Sequence, residues 1–166
     1  MLASQRPLPF EGKLKKILVI QTAFLGDCVL ATAILESLHN AYPEAALHFL
    51  INAQHKGLFV EHPFLAKLWL WDKTKKYKSL FQLIKDVRAE GFDAVINLQR
   101  YAATGLITLF SGAKFTAGFD KNPLSQYFTW AAPHAFKANW HETDRNFELI
   151  NPLGCQPAKP RLYPTT

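Results

Sequence analysis

Residues Ile17 to Leu35, ILVIQTAFLGDCVLATAIL, constrain this chain more than any other stretch. An apolar run ends in a short loop carrying Gly26-Asp27, and a helical pattern starts immediately after it. A continuous apolar strand of this kind belongs in the middle of a parallel sheet, covered on both faces. The order strand, loop, helix then places the Asp27 carboxyl where a strand tip meets a helix N-terminus. In open α/β sheets, ligands collect outside the carboxyl ends of the strands.

The rest of the chain repeats that alternation. Lys16–Gln21, Ala46–Ile51, Ala66–Trp71, Asp93–Leu98 and Lys114–Gly118 read as strands. Asp27–Ala41, a short piece at Gly57–Glu61, Ser79–Glu90, Ala102–Phe110 and His141–Ile150 read as helices. The clearest helix has Leu80, Leu83, Ile84 and Val87 at helical spacing, with charged residues between them and Gly91 closing it. The pattern predicts a doubly wound parallel sheet, Rossmann-like, with right-handed crossovers. From Pro152 onward the chain carries Pro157, Pro160 and Pro164 with little apolar periodicity, which reads as an extended linker. The helix after the first strand is apolar almost all round. Either neighbouring elements wrap it or it meets a partner surface.

Several classes are excluded by what the chain lacks. The first loop has no G-x-G-x-x-G, the second strand ends at Ile51-Asn52 without a ribose-binding acid, and no Gly-Lys-Ser/Thr occurs. Dinucleotide and P-loop binding are therefore not expected. Cys28 and Cys155 match no metal or redox spacing and read as free thiols. The six histidines form no ligand constellation, so no metal is expected. No segment reaches the roughly 18 apolar residues of a membrane span, and the expected location is cytoplasmic.

The formal charge of +6 favours anionic partners. Part of it is concentrated in Lys73, Lys75, Lys76 and Lys78, either a steering loop or an ordinary solvated one. Asp27 is open to two readings at this point: a base for a substrate hydroxyl, or a helix cap. At the fourth strand's end stand Asn97, Gln99, Arg100 and Tyr101, where the Arg100 guanidinium has the planar fork that holds phosphate or carboxylate. His141 and Arg145 share one face of the last helix.

Three segments carry a resemblance. ILVIQTAFLGDCVLATAIL, INLQRYAATGLITLFSGAKFTAGF and HETDRNFELINPLG, in that order, resemble the N-terminal half of the heptosyltransferases, glycosyltransferase family 9. The resemblance implies one half of a two-domain GT-B-type enzyme: an N-terminal arm over 1–14, a Rossmann-like acceptor-binding domain over 15–151, and a linker over 152–166 to a C-terminal donor domain. It implies transfer of heptose from an ADP-activated sugar to the inner core of lipopolysaccharide, with inversion and no metal. No cofactor is implied in this half, and the fragment alone is expected to be inactive. Asp27 is then the implied catalytic base, with Thr22, Gly26, Arg100, Lys73, Lys75, Lys76, His141 and Arg145 expected around an anionic, lipid-linked acceptor. Nucleic acid is not an implied partner, whereas peripheral contact with the inner membrane surface is. The alternative is a standalone module that binds anionic glycans or lipid headgroups.

Overall fold

The computed structural model describes residues 14–134 and 140–163. Its centre is a six-stranded sheet in the order β3-β2-β1-β4-β5-β6, parallel at every pairing. The strands are β1 (Lys16–Ile20), β2 (Ala46–Asn52), β3 (Leu65–Trp71), β4 (Ala94–Asn97), β5 (Phe115–Phe119) and β6 (Trp130–Ala132). The helices are α1 (Leu25–Ala41), α2 (Lys76–Glu90), α3 (Ala102–Leu109) and α4 (Glu142–Phe147). The Rossmann-like expectation therefore holds, and β1 lies at the centre.

β1 is apolar throughout because both of its faces are covered. Ile17 and Val19 pack into the layer with α1, whereas Leu18 and Ile20 face Leu80, Leu83 and Val87 of α2. α2 ends at Gly91, whose φ of 77° is left-handed, the conformation that stops a helix without a Cβ penalty. Gly118 serves close packing instead. A Cβ there would sit 2.4 Å from Phe128, so the ring of Phe128 occupies the space a side chain would take.

Four expectations need correction. β6 was not expected, and three residues at a sheet edge are too few to set a period. The predicted helix at Gly57–Glu61 is a 3-10 turn at Ala53–Leu58, entered through Asn52, whose side chain accepts the Gln54 amide. α4 stops at Phe147 rather than Ile150, and a 3-10 turn at Asn151–Leu153 follows it. α1 begins two residues before Asp27, because Phe24 is extended and Asp27 accepts the Phe24 amide at 3.2 Å. Asp27 is thus at the third helical position, giving the reciprocal half of a capping box rather than the N-cap itself.

The apolar circumference of α1 is wrapped by the protein itself. One side meets the sheet, another meets α4, and the segment after Leu153 runs along a third. That segment has no secondary structure, yet it is fixed: the Tyr42 hydroxyl donates to the Leu153 carbonyl at 2.6 Å, and the Arg161 amide donates to Thr32 Oγ1 at 3.0 Å. Tyr163 donates to Glu36 at 2.6 Å and packs edge-on against His62 and Phe64. Leu14, placed by the sequence reading in an N-terminal arm, is buried in the same layer as Ile17, and residues 1–13 lie outside the described residues.

His48 links fold to pH. It is buried on β2, and its Nδ1 accepts the Trp69 indole N–H at 2.9 Å while Phe92 stands edge-on 4.9 Å away. Burial, more than any charge, holds its pKa below the ordinary histidine value of 6.5. The unfolded chain therefore takes up the proton first as pH falls through 6.5. Stability is expected to be full above that value and to decline below it. His48→Gln keeps an acceptor for Trp69 but does not titrate, so urea midpoints measured across this range should fall less steeply in the variant.

Candidate functional site

All six strands point their carboxyl ends to one edge, and the loops there build the site. At its floor the side chains just past the ends of β1 and β4 interlock. Gln99 Nε2 donates to Gln21 Oε1, which also accepts the Ala23 amide at 3.2 Å. The Gln99 amide donates to Asn97 Oδ1 at 2.8 Å. Asn122, on the loop after β5, donates through Nδ2 to the carbonyls of Gln99 and Tyr101, both at 3.1 Å, while its Oδ1 accepts the Leu124 amide at 3.0 Å. These bonds fix the loop that presents Arg100 and Tyr101.

Asp27 stands half-buried on the α4 side of this rim. Its charge reaches Glu142, on the first turn of α4. Burial first, and then the charge of Asp27, push Glu142 above the usual glutamate range, with Arg145 opposing. Arg100, Arg145 and Lys121 act together on His134, which burial first and these cations second hold below the ordinary histidine range. The rim thus sets two carboxyls beside a group of cations. Cys28, one residue past Asp27, is a buried thiol pushed up to about 12, chiefly by burial, and so is not a nucleophile at neutral pH.

On the α2 side a groove of about 310 Å³ opens among Thr22, Trp71, Lys73, Tyr77, Tyr101 and Thr104. The Lys73 ammonium donates to the Thr22 carbonyl at 2.5 Å and lies 5.5 Å from the centre of the Trp71 ring. Partial burial lowers its pKa from the ordinary lysine value. Tyr77 and Tyr101 leave most of their rings in solvent, as does Phe24 at the start of α1.

The structure groups the expected residues unevenly. Arg100 and Arg145 act together on His134, and Asp27 and Arg145 on Glu142, whereas Thr22 and Lys73 share the groove. A Cβ on Gly26 would meet nothing within 4 Å, so the space over the first turn of α1 is open. Lys75 is exposed beyond Asp72, and the side chain of Lys76 lies outside the described residues. The His141 side chain is exposed, and its part in α4 is a backbone one: its amide donates to Asp144 at 2.8 Å. Sequence reasoning missed Glu142, Lys121, His134 and Asn122. For Glu142 the available signal was that Asp144 occupies the capping-box position, leaving Glu142 without a local task. Among the described residues no group of three or more His, Cys, Asp or Glu is placed to hold a metal ion, and no helix is long and apolar enough to cross a membrane.

A six-stranded parallel sheet in this order, with carboxyls and cations at its strand-end rim, defines a Rossmann-like α/β domain of the kind found in GT-B glycosyltransferases. More particularly, the chain resembles the heptosyltransferases of glycosyltransferase family 9. The lipopolysaccharide core heptosyltransferase OpsX of Haemophilus influenzae is 26% identical over 107 residues, covering 64% of this chain and 30% of the relative. Lipopolysaccharide heptosyltransferase 3 of Escherichia coli is 27% identical over 137 residues, covering 78% and 40%. The chain therefore spans less than half the length of these relatives. Among solved structures, a family 9 glycosyl transferase from Veillonella parvula superposes with a TM-score of 0.76 at 24% identity, over 86% of this chain and 42% of that one. The E. coli heptosyltransferase WaaC with ADP gives 0.72 at 16% identity, over 86% and 48%. At these identities the structural likeness speaks for the fold. No protein-family model matches the chain.

Proposed function

We propose that this domain is the acceptor-binding half of an inverting, heptosyltransferase-like glycosyltransferase. The acceptor is an anionic sugar of the lipopolysaccharide inner core, and the donor is an ADP-activated sugar held by the part of such enzymes that this chain does not cover. The observation that carries the proposal is the placement of Asp27: a half-buried carboxylate at the strand-end rim, beside an open helix turn.

In the proposed reaction the acceptor hydroxyl attacks the anomeric carbon of the donor from the face opposite the leaving group. Asp27 takes the hydroxyl proton as the new C–O bond forms, and ADP departs with the electrons of the bond it breaks. The carboxylate acts twice, as a base and as negative charge near a centre resembling an oxocarbenium ion. The cations of the rim hold the acceptor's carboxylate or phosphate groups, and the aromatic rings of the groove offer faces for a sugar ring. We assign no cofactor and no metal to this half.

Titrating the chain with a phosphorylated or carboxylated sugar and following amide chemical shifts tests the site map. Changes should centre on Asp27, Arg100, Lys73 and Tyr101. Changes spread over the lysines of α2 alone would favour the standalone-module reading. Neutralising Lys73 and Lys75 together is expected to weaken acceptor affinity several-fold and to flatten its salt dependence, because such charges act partly by steering. Unchanged affinity at low and high salt, read by calorimetry, would remove these lysines from the site.

A further inference from the structure

Two successive peptide units of the loop between β1 and α1 are each held at both ends. In the unit joining Thr22 to Ala23, the carbonyl accepts the Lys73 ammonium at 2.5 Å and the N–H donates to Gln21 Oε1 at 3.2 Å. In the unit joining Ala23 to Phe24, the N–H donates to Asp27 Oδ2 at 3.2 Å. The carbonyl of that same unit lies 3.2 Å from Nε2 of His55, on the 3-10 turn that follows β2. His55 stands 32 residues from Ala23 in sequence, and the pairing of β2 beside β1 brings the two together.

Chemistry fixes the direction of the His55 contact. A carbonyl oxygen only accepts, so Nε2 carries the hydrogen and Nδ1 of the neutral ring carries the lone pair. The Gln54 side-chain nitrogen, 3.5 Å from the same Nε2, is a donor too and cannot serve that nitrogen at the same time. The carbonyl contact is the shorter of the two. Phe24 is 81% exposed, so water competes for its amide, and that one hydrogen bond does not by itself fix a carboxylate. A peptide unit is planar, however, and its carbonyl and N–H point in opposite directions. Holding the carbonyl therefore aims the N–H, and a donor on the carbonyl also polarises the N–H toward a stronger bond.

We propose that His55 is a positioning residue for Asp27: its Nε2–H holds the Ala23 carbonyl, and the rigid peptide unit passes that constraint to the carboxylate at its far end. The proposal rests on Asp27 being the base, because only then does the orientation of its carboxylate matter to transfer. His55 itself touches no substrate in this scheme.

Imidazole nitrogen resonances of the 166-residue chain, recorded in mildly alkaline buffer where histidine is neutral, test the tether directly. His55 should show the N–H type of nitrogen at Nε2 and the lone-pair type at Nδ1. The reverse tautomer overturns the proposal even if every variant fails to fold. His55→Phe keeps a ring without a donor and should quicken exchange of the Phe24 amide several-fold, whereas His55→Gln supplies an amide N–H and should restore it. In the complete gene product, His55→Phe should lower kcat by about 10-fold with KM little changed, a part of the roughly 10²-fold that a 1 Å misplacement costs. His55→Gln should recover most of that loss. Quickened exchange with kcat unchanged, where Asp27→Asn abolishes turnover, overturns the positioning role and leaves Asp27 as base. Undiminished turnover by Asp27→Asn sinks the base, and with it any role for His55 in transfer, while the tautomer separately reports whether the imidazole holds the loop.

Discussion

Asp27→Asn, made in the complete gene product and assayed with donor and acceptor, is expected to lower turnover by roughly 10²–10⁴-fold, the range that one positioned acid–base group supplies. Acceptor affinity should change little. The amide has nearly the same shape, its oxygen can still accept the Phe24 amide, and the cations that would hold the acceptor are elsewhere on the rim. The loss should therefore appear in kcat and not in KM, the pattern of an interaction realised in the transition state. Undiminished turnover would remove Asp27 as base, and a loss confined to KM would make it a binding residue instead.

The largest effect on stability is expected at Asn122. This side chain is 1% exposed and makes three hydrogen bonds, to the carbonyls of Gln99 and Tyr101 and from the Leu124 amide. Asn122→Ala leaves those three groups without their partner in a place water reaches poorly. A buried polar group left unpaired costs on the order of 1–3 kcal/mol, and partial hydration of the exposed Tyr101 end brings the expected total to about 3 kcal/mol. Urea unfolding should show it as a lower midpoint with an unchanged slope. Amide exchange should quicken first at Gln99–Tyr101, before the strands. A loss below about 0.5 kcal/mol, the size of an ordinary surface change, would mean that Asn122 does not hold the rim together.

How far the sequence forecasts this molecule depends on the range of the forces concerned. β1 and α1 were readable because a buried central strand must be apolar at every position, and Ile17 to Ile20 are. α2 was readable because its period and its closing glycine are local. β6 was not, since Trp130–Ala132 is held only by pairing with β5, a contact between distant parts of the chain. The end of α4 was missed for a related reason: the apolar run Leu149-Ile150 continues a helical period, yet both residues are buried on the 3-10 side of the break. At the site, the placement of Asp27 followed from one loop, and its position within the helix was off because the helix starts two residues earlier, at Leu25, with Asp27 accepting the Phe24 amide. Glu142 lies over a hundred residues away in sequence and no periodicity joins it to Asp27. Only the packing of α1 on α4 brings them together.

The strap formed by residues 155–163 has a practical consequence. Its hold on Thr32 and Glu36 clothes the flank of α1 where Ala33, Ile34 and Ser37 would otherwise meet water. Trimming the chain at Gly154, as its lack of helix or strand invites, would strip that greasy flank and loosen the very rod on which Asp27 is mounted. Anyone cutting this protein down for crystals or spectroscopy should keep those nine plain-looking residues.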